Sequence, residues 1–242
     1  IILLNNSKIG YQHLINDTIK GRTGILKVTE MYTEIKLKRM GKPVKVSEKT
    51  IYYETEALQP VRFEFIQTES QQIFTIKGEI SGNKINITKT LGKKKSITKI
   101  RLRKNVIFPS AIGKNISNKK LKIGKIYQFE TFLPRLEKVV MTTLIVQGKE
   151  EIIFGNQRIN TYKLKITYTY NNNSLNYYAW VDKKGLLYKS FSPLTDLTTV
   201  LVPRKEALKN IELVEILRSS VITSKGKIEE PDRIKKLYIR LN

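Results

Sequence analysis

Between Ile51 and Pro109, apolar residues recur at every second position. Val61, Phe63 and Phe65 alternate with Arg62 and Glu64. Phe74, Ile76, Gly78 and Ile80 alternate with Thr75, Lys77 and Glu79, and Ile85, Ile87 and Leu91 share a phase with Lys89 against Asn86, Thr88 and Thr90. Successive side chains on a strand point to opposite faces, so this pattern predicts a sheet with one apolar and one wet face. Short turn sequences, Ser81-Gly82-Asn83 and Gly92-Lys93-Lys94, separate the runs and make neighbouring strands antiparallel. An antiparallel meander of this kind leaves one face in water and needs a cover for the other.

The same patterning extends in both directions. Ile1 to Leu4 and Ile9 to Ile15 flank Asn5-Asn6-Ser7 and predict a hairpin, with Gly10 marking a bulge or a close backbone approach. His13, the sole histidine, shares a phase with Ile9, Tyr11 and Ile15 and is expected to be hydrogen-bonded and half-buried rather than a base. Strands are expected at Ile25 to Arg39, Val44 to Thr55, Ile126 to Leu133, Val139 to Gln147, Arg158 to Tyr170, Ser174 to Val181, Leu186 to Phe191 and Thr198 to Val202. One interruption stands out. Phe108, Ala111, Ile112 and Ile116 form an apolar stripe at helical spacing behind Pro109, predicting a short helix within Phe108 to Leu121 that caps the sheet. Gly113 weakens that helix, so packing rather than propensity must hold it.

Residues 1–208 read as one domain and 209–242 as C-terminal strands: Ile211 to Leu217, Ser220 to Ser224 and, after a break at Glu229 to Asp232, Ile234 to Leu241. A start at Ile1 and a stop at Asn242 without a closing turn are read as a piece of a longer product, with a further module downstream.

Several chemistries are excluded by residue type. With no Cys among 242 residues, disulfides, thiol catalysis and Cys-based zinc sites are out. No glycine-rich phosphate loop, metal-ligand cluster or Ser/His/Asp arrangement is present, so no catalytic, cofactor-binding or metal-binding residue and no cofactor is expected. The carboxylate pairs Glu150-Glu151 and Glu229-Glu230 are placed at turns as solvated charge. No apolar run reaches the length of about 20 residues that a membrane helix requires. The formal charge of +24 has two readings, a lysine-rich solvated surface or an anionic partner. The lysines are scattered along polar strand phases, which makes nucleic acid the lesser candidate.

Three stretches resemble a known family: Lys8-Ile9-Gly10-Tyr11-Gln12-His13, Ser47 to Thr55, and the Phe108-Pro109 helix followed by Gly124-Lys125-Ile126-Tyr127-Gln128-Phe129. They are similar to the β-rich region ahead of the catalytic core in bacterial transglutaminase-like proteins. Ala179-Trp180-Val181-Asp182-Lys183-Lys184-Gly185 resembles a strand-turn-strand of LolA/LppX-like envelope proteins. The resemblance implies a mainly β fold, a large antiparallel, strongly curved sheet or unclosed β-barrel wrapped over one or two short helices. It also implies a bacterial cell-envelope or periplasmic setting and a non-catalytic accessory role beside a transglutaminase-like core. No Cys nucleophile of such a core is present.

The aromatic set Tyr53, Phe63, Phe65, Phe74, Tyr162, Tyr168 and Trp180 supplies the candidate groove-lining residues. It reads either as sheet core beneath the helix or as an apolar groove for a lipid or peptide. The functional expectation is a binding or scaffold domain with a protein, cell-wall or lipid ligand. The alternatives are a periplasmic lipid or lipoprotein carrier and a basic nucleic-acid-binding module.

Overall fold

The computed structural model describes residues 1–21, 24–117, 121–211 and 213–215. The strands run β1 (Ile2–Leu4), β2 (Ser7–Gly21), β3 (Gly24–Arg39), β4 (Lys42–Thr55), β5 (Pro60–Glu69), β6 (Gln72–Ser81), β7 (Lys84–Leu91) and β8 (Lys94–Arg101). Helix α1 (Pro109–Ser117) follows, then β9 (Ile126–Leu133), a single 3-10 turn (Pro134–Leu136), β10 (Lys138–Phe154), β11 (Gln157–Tyr170), β12 (Asn173–Val181), β13 (Leu187–Ser192) and β14 (Leu197–Val200). A helical turn, α2 (Arg204–Ala207), and the two-residue β15 (Val214–Glu215) complete the described residues.

Two meanders make one sheet. From β8 back to β1 and from β14 back to β9, every neighbour in space is a neighbour in sequence. The meanders meet where β1 pairs with β14, giving a 15-stranded sheet, unclosed, with β8 and β9 at its ends. Turn chemistry explains the local steps. Asn5 and Asn6, at φ 49° and 64°, supply the left-handed pair that joins β1 tightly to β2. Gly10 is a close approach as well as lying beside a bulge, since a Cβ there would stand 2.1 Å from the Glu34 carbonyl oxygen.

The cover of the sheet differs from the expectation. Helix α1 does form, and its stripe Ala111, Ile112 and Ile116 is buried, but it packs against Leu144, Val146, Leu164, Ala179 and Val181 of the second meander. The first meander has a separate core, in which Tyr52, Phe63, Phe65, Ile76, Ile85 and Ile87 cluster with Phe108 and Phe132. Phe132 lies on β9 five residues from Tyr127, hence on the opposite face, and Tyr127 belongs to the helix-side core. Near its turn the β9–β10 hairpin is therefore covered on both faces, with the helix-side core against one and the first meander against Phe132 and Val139 on the other, while Ile126 and Met141 further along stay exposed. Salt bridges fix its tip there, Arg135 to Glu48 of β4 at 2.9 Å and Glu137 to Lys89 of β7 at 2.9 Å. The free edge of β9 is occupied by Ile107, whose N–H donates to the Glu130 carbonyl and whose carbonyl accepts from the Phe132 N–H, both at 2.9 Å.

Gly113 has a packing role that its helix propensity conceals. Its backbone abuts the β12–β13 turn: a Cβ on Gly185, which sits at φ +81°, would lie 2.5 Å from the Gly113 carbonyl oxygen. Two sequence expectations are corrected. His13 is exposed, its ring 5.5 Å from that of Tyr32. Glu150-Glu151 lies inside β10, which continues through a bulge past Val146 rather than turning. Of the expected strand Ile211 to Leu217, the described residues are 211 and 213–215, of which Val214–Glu215 is strand and pairs parallel to β3 at Leu37 and Lys38. The expected strands at Ser220 to Ser224 and Ile234 to Leu241, with the break between them, lie outside the described residues.

Candidate functional site at the open seam

The aromatic residues expected to line one groove divide among three places. Phe63 and Phe65 are buried in the first core, with Phe74 packed at its margin. Phe63 meets Phe132 at 5.4 Å and Phe108 at 6.0 Å between ring centroids, so aromatic side chains of the same protein fill the space over them. Tyr162 packs against the helix-side core, and Tyr168 contacts Tyr177 edge to face at 5.7 Å. Burial pushes the Tyr168 hydroxyl up to about 12.

Tyr53 and Trp180 do not line the interior. On β4 the buried phase is Thr50, Tyr52 and Glu54, so Tyr53 faces outward, where the Arg62 guanidinium lies 3.9 Å over its ring. Trp180 pairs across the ladder with Lys163, while its neighbour Ala179 pairs with Leu164 in the core. The indole is thus on the outer face, yet it is only 6% exposed. The ammonium groups of Lys163 and Lys189 lie 5.2 and 4.8 Å from its ring, and its N–H donates to Glu150 Oε2 at 2.5 Å. That hydrogen bond, with a second from Lys163, holds the Glu150 carboxyl below its ordinary range. Lysine stems can shield an aromatic ring this way while their charged ends stay wet.

A second carboxylate is strained by its setting. Glu54 is wholly buried on the inner face of β4, next to Ser110 in the first turn of α1, with no hydrogen bond to either carboxylate oxygen. Desolvation raises its carboxyl to about 7, and Ser110, Lys114 and Lys27 only partly offset that cost.

Open space lies around the segment that follows β8, an end strand that does not close onto β9. Leu102 and Val106 are buried anchors, and the three residues between them, Arg103, Lys104 and Asn105, are left in solvent. The Leu102 N–H donates to the Asn83 carbonyl at 2.7 Å, and Asn105 takes a left-handed φ of 70° that turns the chain back inward. A cleft of about 880 Å³ results, with Pro60, Ile80, Leu102 and Val106 as apolar lining and Arg101, Arg103 and Lys104 as its cations. No acidic side chain lines it. Beyond Arg101 and Arg103 a smaller cleft of about 400 Å³ runs to Met141 and Tyr170, and here Glu130 pairs with Arg103 at 2.9 Å. The two arginines therefore form a ridge between two openings.

Sequence reasoning missed this ridge. Its signal is the run of three polar residues, Arg103-Lys104-Asn105, between the apolar Leu102 and Val106, where a continuing strand would carry an apolar residue at every second position. Among the described residues no group of three or more His, Asp or Glu is placed to hold a metal ion, and no helix is long and apolar enough to cross a membrane.

No protein-family model matches the chain, and no curated protein does. Among solved structures, the chain is similar to the crystal structure of a beta-barrel-like protein of a domain of unknown function, DUF1849, from Brucella abortus. The TM-score is 0.55 at 11% sequence identity, covering 81% of this chain and 97% of that one. At that identity the likeness establishes the fold, a beta-barrel-like antiparallel sheet left unclosed.

Proposed function

We propose that this chain is a non-catalytic binding module whose ligand sits in the seam cleft through carboxylate or phosphate groups. The observation that carries this reading is the cleft of about 880 Å³ edged by Arg101, Lys104 and the Glu130-paired Arg103 above apolar side chains, with no acidic residue in its own lining. Guanidinium groups match planar and tetrahedral oxyanions, and an apolar floor lowers the local dielectric under them. An overall charge of +24 adds long-range attraction for an acidic ligand.

The envelope setting and the role beside a transglutaminase-like core rest on the sequence resemblance alone. Both belong to this proposal as the context in which an acidic cell-wall or protein ligand would be met. A lipid carrier with an internal groove is less well supported, because Phe108, Phe132 and α1 occupy the space over both halves of the sheet.

Titration calorimetry with polyglutamate and with polyphosphate tests the reading. The unaltered chain should bind, and Arg101→Ser/Arg103→Ser/Lys104→Ser should bind at least tenfold more weakly. A Lys93→Ser/Lys94→Ser/Lys95→Ser chain has the same net charge as that variant, so it serves as the control. Equal weakening by both sets would reduce the effect to bulk charge and remove the cleft as the site.

A further inference from the structure

Among the described residues, the distal half of β2 is an unpaired sheet edge. On one side β2 is paired with β3 along its length, from Gly10 opposite Ile35 to Gly21 opposite Gly24. On the other side β1 is too short to follow it and pairs only at Ser7, Lys8 and Gly10. Among the described residues no strand pairs with that side beyond Gly10, and His13 through Lys20 are exposed. Leu14 is 56%, Ile15 49% and Ile19 38% exposed, with Leu14 on the face opposite the two isoleucines.

Edges of this length are normally blunted by Lys, Pro or a covering element, because their free N–H and C=O groups template another strand. The end strand β8 follows that rule, carrying Lys94, Lys95, Lys99 and Arg101, all exposed. β2 does not. From His13 to Gly21 the only formal charges are Asp17 and Lys20, which cancel, in a chain whose net charge is +24.

We propose that this edge is where a second copy of the chain docks, strand against strand, continuing the sheet across a two-fold axis. Charge selects the partner and the place. Two copies repel wherever their lysine-covered surfaces face each other, and along His13 to Gly21 they do not. Antiparallel self-pairing across that axis keeps each residue's face, so it covers Leu14, Ile15 and Ile19 and sets one Asp17 and one Lys20 from each copy along a contact with no net charge. A single-strand contact is in the small, transient class below about 1,200 Å² of total buried surface, so the dimer is weak and concentration-dependent. Its affinity rises with salt, because salt screens the repulsion between the two cations while the strand pairing is short-range.

Sedimentation velocity of the chain over a wide concentration range, in low and in high salt, tests this. The expected result is a monomer–dimer equilibrium that strengthens in high salt. Leu14→Lys/Ile15→Lys should weaken it at least tenfold with no change in melting temperature, and Ile97→Lys, at a site on β8 that is 66% exposed, should leave it intact. A chain that is monomeric throughout, or a dimer that survives the β2 substitutions, overturns the proposal. So does a monomer that instead captures a synthetic extended acidic peptide at β2, which would assign the edge to another protein.

Discussion

Phe63 of β5 and Phe132 of β9 meet with ring centroids 5.4 Å apart, although nine strands stand between them along the sheet. The contact exists because the β9–β10 end of the sheet turns inward over the first meander. Truncating either ring should therefore loosen that overlap. Phe132→Ala is expected to cost about 3–5 kcal/mol, and so is Phe63→Ala. In a double-mutant cycle read by urea unfolding, the two should couple by about 0.5–1.5 kcal/mol. Strict additivity would show that the hairpin does not rest on the first meander.

The Glu54 carboxyl gives stability a pH dependence of unusual sign for an acid. Its folded-state value is raised to about 7 from 4.5, so the folded form holds a proton that the unfolded chain has released. Stability from this group is full below 4.5 and falls as pH rises through about 7. Glu54→Gln, which cannot ionise, should flatten that slope and stabilise the fold at pH above the transition by on the order of 3 kcal/mol. Parallel melting curves of parent and variant across the pH range measure it. A constant offset between the two would show that Glu54 does not titrate in this window.

Trp180 reports on Glu150. It is the only tryptophan, and its N–H bond to Glu150 belongs to a carboxyl held below its ordinary value of 4.5. A lowered carboxyl keeps its contribution as pH falls until its own folded-state value is reached, so tryptophan emission should shift only below 4.5. Glu150→Gln should abolish the shift and cost about 1 kcal/mol. An emission change centred above 4.5 would assign it to another group.

Gly185 and Gly155 separate backbone strain from crowding. Both have positive φ, +81° and +58°, but a Cβ on Gly155 meets nothing within 4 Å, whereas one on Gly185 strikes the Gly113 carbonyl. Gly155→Ala should cost about 1 kcal/mol and Gly185→Ala about 2–3 kcal/mol. Thermal melts of the two variants should show Gly185→Ala well below Gly155→Ala. Equal losses would mean that α1 can move off the turn.

Most of the strand order was readable because each strand follows its neighbour through a turn of a few residues, and period-two patterning marks both. The faces were harder. On β4, Ile51 and Tyr53 make the outward phase look apolar, while the inward phase carries Glu54, so residue type misassigns the side. Trp180 packs and its N–H finds a partner, but its face is hard to assign for a related reason, because the cover over it comes from the stems of Lys163 and Lys189 rather than from apolar residues. The double cover near the β9–β10 turn left a faint mark, Tyr127 and Phe132 being apolar on opposite phases. A broken alternation does not say what lies against the second face. The cleft left only the polar run Arg103-Lys104-Asn105, which does not say that Pro60 and Ile80 lie across an open space from it.

The joint between β1 and β14 has a consequence for how the sheet is assembled. Every other ladder between major strands in the series from β1 to β8 and from β9 to β14 links neighbours in sequence, whereas this one brings Ile2 opposite Thr199 through three residue pairs. Beyond the ladder, the terminal amine of Ile1 donates to the Val200 carbonyl at 2.8 Å. Closing so long a loop brings few contacts in return, so it comes late and each meander can nucleate without the other. In native-state hydrogen exchange, the amides of Ile2–Leu4 and Leu197–Val200 should open before those of β5–β7 or β10–β12. One continuous sheet would then behave in solution as two cooperative units, with their boundary at its middle.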